Sequence, residues 1–229
     1  MANALKITSV LLSYPTRELL DAAPELHAAL EADGSIGKQQ KAWLGALIDD
    51  LAAHDIYDAQ ERYVLLFDRT RTLSLHLFEH VHGESRDRGQ AMVDLAAMYE
   101  AQGLQIDASE LPDYLPLFLE YLSTQSDEEV RNLLGQTLHI LSALRARLQK
   151  RESIYGAAFL ALEAMAGGKP DAKALADILK APEDDPNDLA ALDAIWEEEA
   201  VTFGAGAGNS ACGPDRLRTR IRAAERPAP

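Results

Sequence analysis

Apolar residues recur at three- and four-residue intervals along nearly the whole chain, and no stretch keeps the two-residue alternation of a half-buried strand. The pattern predicts an all-α fold. A first helix covers about 3–13, with Leu5, Val10 and Leu12 among its apolar positions, and Pro15 ends it. Thr16 is placed to cap the next helix, with apolar positions at Leu19, Leu20, Leu26 and Leu30. Pro24 splits or kinks that helix, and Asp33-Gly34 stops it. A third helix, about 38–53, buries Leu44, Leu47, Ile48 and Leu51. Asp55 caps a fourth, in which Ile56, Ala59, Tyr63, Leu66 and Phe67 share one face.

Periodicity then fails between Asp68 and about 86, and returns in a helix with Met92, Leu95, Ala96 and Tyr99 on one side. Gly103-Leu104 reads as a C′ glycine followed by its hydrophobic contact. Residues 111–123, LPDYLPLFLEYLS, read as a short helix capped by Asp113, with Pro116 at its third position. Leu115, Phe118, Leu119 and Leu122 make one apolar face, and Tyr114, Leu117 and Tyr121 a second, so this helix is sandwiched between neighbours. Ser126-Asp127-Glu128-Glu129 matches a capping box and opens the longest helix, to about 151, with Val130, Leu133, Leu134, Leu138, Leu141, Leu144 and Leu148 in register. Helices at about 153–165, 171–180 and 187–201 complete the body. A Gly/Ala run from 204 reads as a linker. The organisation expected is one helical-bundle domain over 1–203 and a disordered basic tail over 204–229.

Composition adds charge to this outline. The 229 residues carry a net charge of −15. Residues 214–229 hold five arginines against Asp215 and Glu225, a net +3, so the body stands at −18. Such a body repels nucleic acid and anionic lipid and attracts basic partners. The single cysteine, Cys212, excludes an intrachain disulfide and fits a reducing compartment. The N-terminus has too short an apolar run for a secretory signal, and the longest charge-free apolar run, 132–144, is too short for a membrane helix. A soluble, cytoplasmic protein is expected.

Candidate chemistry is sparse. His76, Glu79, His80 and His82 are the nearest thing to a metal cluster. On a helix His76 and His80 would share a face, as in zinc hydrolases, but the glutamate is displaced from the His-Glu-x-x-His arrangement and no further ligand stands out. A metal-dependent hydrolase built on these four residues is the alternative reading; a hydrogen-bonded histidine set near a surface is the preferred one. Cys212 has no CxxC partner, and no phosphate loop, dinucleotide fingerprint or serine elbow occurs. Asp113-Tyr114 and Glu120-Tyr121 set carboxylates beside phenols: a capping Asp with a solvated Glu, or the lining of a groove for a basic peptide.

Two stretches carry a family resemblance: ERYVLLFDRTRTLSLHLFEHVHGESRDRGQAMVDL from Glu61, and LPDYLPLFLEYLS from Leu111. Glu61 to Phe67 is similar to a Glu…Tyr-x-x-Leu-Phe motif, and Pro112-Asp113-Tyr114 to a Pro-Asp signature, of the molybdenum-cofactor assembly chaperones of respiratory nitrate reductase. These are the NarJ type, within the TorD/DmsD group of redox-enzyme maturation chaperones. The wider group often has His where Tyr114 stands. The resemblance implies an all-α, non-catalytic chaperone that needs no cofactor or metal of its own. It implies binding, in the cytoplasm, of the basic, twin-arginine-like N-terminal segment of the nitrate reductase catalytic (alpha) subunit during molybdenum cofactor insertion. Molybdenum cofactor delivery proteins are implied as further partners; nucleic acid and stable membrane association are not. Peptide contacts are expected around Tyr63, Phe67, His76, Glu79, Asp113, Tyr114 and Glu120, of which the motifs themselves carry Tyr63, Phe67, Asp113 and Tyr114.

Overall fold

In a computed structural model the described residues are 1–81, 86–106, 110–185 and 187–188. They form a compact unit from Met1 to Asp188. The expected helix at 187–201 beyond its first two residues, the boundary at 203, the tail and His82 lie outside the described residues. Helices α1 (Ala2–Leu11), α2 (Arg17–Asp21), α3 (Ala23–Ala32), α4 (Lys38–Ala53), α5 (Ile56–Tyr63), α6 (Arg86–Ala101), α7 (Leu115–Leu122), α8 (Asp127–Lys150), α9 (Gly156–Ala166) and α10 (Ala172–Lys180) follow in chain order. Among the described residues the only extended pairing is an isolated antiparallel bridge between His76 and Tyr114. The all-α expectation therefore holds. No described helix is long and apolar enough to cross a membrane.

The polar caps act where the sequence places them. The Thr16 hydroxyl accepts the Leu19 N–H at 3.2 Å, Asp55 takes that of Tyr57, Ser126 that of Glu129 and Asp171 that of Ala174. Pro24 sits in the first turn of α3, where its missing N–H costs nothing, and so divides α2 from α3 rather than kinking one helix. Gly103, at φ +76°, ends α6 in a Schellman turn: its N–H reaches the Glu100 carbonyl and that of Leu104 the Tyr99 carbonyl. One cap is tertiary and invisible to local pattern. The buried Asp33 carboxylate accepts the Ala4 N–H at 3.0 Å, so the residue that stops α3 also closes the first turn of α1.

The centre of the unit is α9, GAAFLALEAMA, apolar nearly all round. Such a helix needs neighbours on both sides. It has them in α8 and α4, whose buried Leu141, Leu144 and Leu148, and Leu44, Leu47, Ile48 and Leu51, belong to the same core. On the other flank α7 packs along α1, where the Ser9 hydroxyl donates to the Pro116 carbonyl at 2.6 Å. Leu115, Phe118, Leu119, Tyr121 and Leu122 are buried and Leu117 partly so, which is the sandwiching read from the two apolar faces.

Two expectations need correction. Asp113 does not cap α7. Tyr114 takes the N-cap position without a side-chain bond, Pro116 falls in the first turn, and the Asp113 carboxylate turns to another segment. The fourth helix is also not uniformly α. After Tyr63 it widens into a π turn over Val64–Asp68, closed by the Arg69 N–H on the Val64 carbonyl five residues back. The wider turn keeps both Leu66 and Phe67 on the buried side.

Candidate functional site

The stretch where periodicity fails is built from short turns: the π turn, then 3-10 turns at Arg71–Leu73 and Leu77–His80. Few of its backbone groups find helical partners, so they are satisfied from elsewhere. Asp113 supplies several. Its main-chain carbonyl accepts the Leu77 N–H at 3.0 Å, one carboxylate oxygen accepts the Phe78 N–H at 2.9 Å, and the other faces His76 Nδ1 at 3.3 Å. Two residues on, the Leu115 N–H donates to the Leu75 carbonyl at 2.8 Å. Asp113 is 0 % exposed, so this carboxylate is a bracket beneath the surface and not an open contact for a solvent-borne cation. Its hydrogen bond holds the His76 imidazolium above the usual histidine range, against the opposing effect of burial.

Above the bracket lies an aromatic row. The Tyr63 hydroxyl donates to the Leu12 carbonyl at 3.0 Å, which leaves its oxygen to accept the Tyr114 hydroxyl, also at 3.0 Å. Both phenols are pushed above the usual tyrosine range by burial. Tyr14 meets Tyr63 edge to face at 5.6 Å, Phe67 lies 5.1 Å from Tyr63, and His76 lies 5.4 Å from the Tyr114 ring. Phe67 in turn packs on the buried Tyr155 at 5.0 Å. Tyr63 and Phe67 are each only 6 % exposed, and Tyr114 and His76 are half-buried. Tyr14 is 47 % exposed and lines a groove of about 340 Å³ with Gln60, Glu61, Val64, Leu65 and Arg69.

The structure thus brings together five of the seven expected site residues: Tyr63, Phe67, His76, Asp113 and Tyr114. The other two stand outside the aromatic row, although Glu79 is close enough to bear on His76. Glu79 turns to Arg88 at 3.1 Å. Glu120 is exposed beside a smaller cavity with Tyr99 and Tyr121. Tyr14 was not among the expected residues; its only signal is an aromatic just before the proline that ends the first helix.

The metal cluster does not form among the described residues, where no group of three or more histidine, cysteine or acidic side chains is placed to hold an ion. His76 precedes the turn that carries His80, so the two do not share a helix face. His80 Nε2 donates to the Ser74 carbonyl at 2.8 Å, and burial holds its pKa below the usual histidine range.

A family model described as nitrate reductase delta subunit matches residues 20–161. The chain is 47 % identical to the nitrate reductase molybdenum cofactor assembly chaperone NarJ of Escherichia coli K12, over 90 % of this chain and 88 % of that one. The chain belongs to the nitrate reductase delta subunit family. Another relative, a probable nitrate reductase molybdenum cofactor assembly chaperone, NarW of the same strain, is 42 % identical over 87 % of this chain and 83 % of its own. A crystal structure of a putative redox enzyme maturation protein from Archaeoglobus fulgidus superposes with a TM-score of 0.55 at 22 % identity, over 73 % of this chain and 94 % of that one, and shares the fold. Both Escherichia coli relatives are named as assembly chaperones, which supports a chaperone role for this chain rather than an enzymatic one.

Proposed function

We propose that this protein is a dedicated chaperone of respiratory nitrate reductase, which binds the basic N-terminal segment of the catalytic subunit in the cytoplasm while the molybdenum cofactor is inserted. The observation that carries the reading is the half-open aromatic row. Tyr14, Tyr114 and His76 offer apolar and stacking surface above a buried, hydrogen-bonded base. Glu110 and Asp68 lie close enough to bear on the Tyr114 phenol, and Glu61 lines the adjoining groove. Apolar surface rimmed by carboxylates suits a peptide with apolar anchors and Arg or Lys between them. The overall charge of −15 favours the encounter. Within this reading His76 and Tyr114 touch the peptide, while Tyr63, Phe67 and Asp113 hold them in place. Glu79 and Glu120 are outlying.

Calorimetry with a synthetic peptide of that segment is the test. We expect binding at low salt that weakens as ionic strength rises. Tyr114→Ala is expected to weaken it by about tenfold or more, as loss of an aromatic anchor does. Glu120→Gln should leave it unchanged. No binding at low salt, or an equal loss in both variants, overturns the assignment.

A further inference from the structure

The other face of the irregular segment closes a second cavity, of about 450 Å³, against α8 and α10. That is the size of a small-molecule site. Arg71, Thr72, His80, His139, Arg147 and Ile178 are part of its lining. Arg147 is 3 % exposed and sits inside the apolar register of α8, between Leu144 and Leu148. Two nitrogens of its guanidinium donate to the Thr72 carbonyl at 2.7 Å and the Ile178 carbonyl at 2.8 Å. Its Nε is buried without a partner among the described residues. No described carboxylate forms an ion pair with it.

The acidic side chains around the cavity are engaged with other groups. Glu79 pairs with Arg88 at 3.1 Å and Asp177 with Lys180 at 2.8 Å. Asp184 accepts the Thr72 hydroxyl at 3.1 Å and returns its own N–H to that oxygen at 3.0 Å. Glu183, paired with Lys150 at 2.6 Å, and Asp184 act on Arg147 only through space, and its hydrogen bonds go to neutral carbonyls alone. A buried guanidinium without a directly bonded anion is costly, and an anion beside it reduces that cost. Its planar fork suits the oxygens of a phosphate or a carboxylate.

We propose that this cavity binds a small molecule through an oxyanion group, phosphate or carboxylate, anchored by Arg147. The site is separate from the aromatic row and independent of the peptide reading. The competing account makes Arg147 a clasp only, joining the Arg71–Leu73 turn to the end of α10. Side-chain Nε–H NMR on the full chain distinguishes them, with the Arg147 resonance assigned by its loss in Arg147→Lys. Inorganic phosphate and acetate are titrated separately, with chloride at matched ionic strength. We expect a saturable shift with phosphate or acetate and none with chloride. Phosphate alone identifies a phosphate-bearing ligand, and acetate alone a carboxylate-bearing one.

Ala174 lines the cavity and takes no part in either Arg147 hydrogen bond, so Ala174→Trp is the variant chosen to fill the space. It is expected to weaken anion binding about tenfold or more, the scale of losing a charged hydrogen bond. A shift that does not saturate, that chloride reproduces, or that survives Ala174→Trp unchanged overturns the proposal.

Discussion

The α8–α9 pair and the irregular segment at 64–81 border the same core and are held in opposite ways. The pair is held by repetition: Leu138, Leu141, Leu144 and Leu148 meet Phe159, Leu162 and neighbouring small residues, all buried, with the backbone satisfied inside each helix. The segment is held by a handful of distant polar groups. Asp113 secures it at Leu77 and Phe78, and Arg147 at Thr72. Asp184 also holds Thr72, and within the segment His80 reaches back to Ser74. The contrast teaches where stability is spread and where it is concentrated. Many dispersion contacts share the load in the pair. In the segment Leu73, Leu75 and Leu77 are buried too, but its short turns are tied down by single polar side chains, and these fix the surface on which His76 and Tyr114 stand.

The largest effect is expected on the regular side. Phe159→Ala removes a side chain of α9 that is 0 % exposed in the core. It should cost about 3–5 kcal/mol in urea unfolding, because the cavity adds to the lost transfer energy. Peptide affinity, measured where the variant is still folded, should stay near the parent value. A parallel loss of affinity would break the separation between scaffold and segment.

Asp113→Ala should cost less stability, about 2–3 kcal/mol, since it leaves the Phe78 N–H and His76 Nδ1 facing an empty site. Its signature is local. Amide exchange should speed up at Leu77 and Phe78 far more than in α9, and peptide binding should fall with it. Uniform acceleration across both regions would show that the bracket is an ordinary part of the core.

The same contrast explains what the sequence discloses. The helices, their caps at Thr16, Asp55, Ser126 and Asp171, and the Gly103 stop are legible because each depends on residues within four or five positions. Asp113 was misread because an Asp before a Pro-containing helix looks like a cap, and its real partners lie thirty-five and thirty-seven residues back. Of the expected site, Tyr63, Phe67, Asp113 and Tyr114 were visible through a family motif, and His76 through proximity in sequence. Glu79 and Glu120, like His76, rested on proximity and chemistry, and the Leu77–His80 turn that sets Glu79 is not encoded by periodicity. Arg147 had a local signal, a cation within the apolar stripe of the longest helix, whose meaning depends on a carbonyl seventy-five residues away.

The smallest effect, and the one most specific to the segment, is its response to pH, because its two histidines act with opposite signs. Asp113 raises the folded-state pKa of His76 above the ordinary 6.5, with Glu79 and Glu110 adding to the effect. The stability this contributes is complete below the unfolded value and is lost as pH rises through the folded one. Burial lowers the pKa of His80, and the nearby Arg147 adds to that, while Glu79 and Asp113 oppose it. The unfolded chain then takes up a proton at His80 that the folded chain refuses, so stability falls as pH drops below 6.5. The two act against each other in the parent. Urea midpoints taken from about pH 5.5 to about pH 8, the range over which histidine titrates, separate them. His76→Gln should make stability climb more steeply with rising pH, and His80→Gln should make it climb less or decline. The His139 contribution is common to all three proteins and cancels in the comparison. Identical pH profiles for the two variants would mean that neither imidazole senses the bracket, and that the segment is held by its backbone bonds alone.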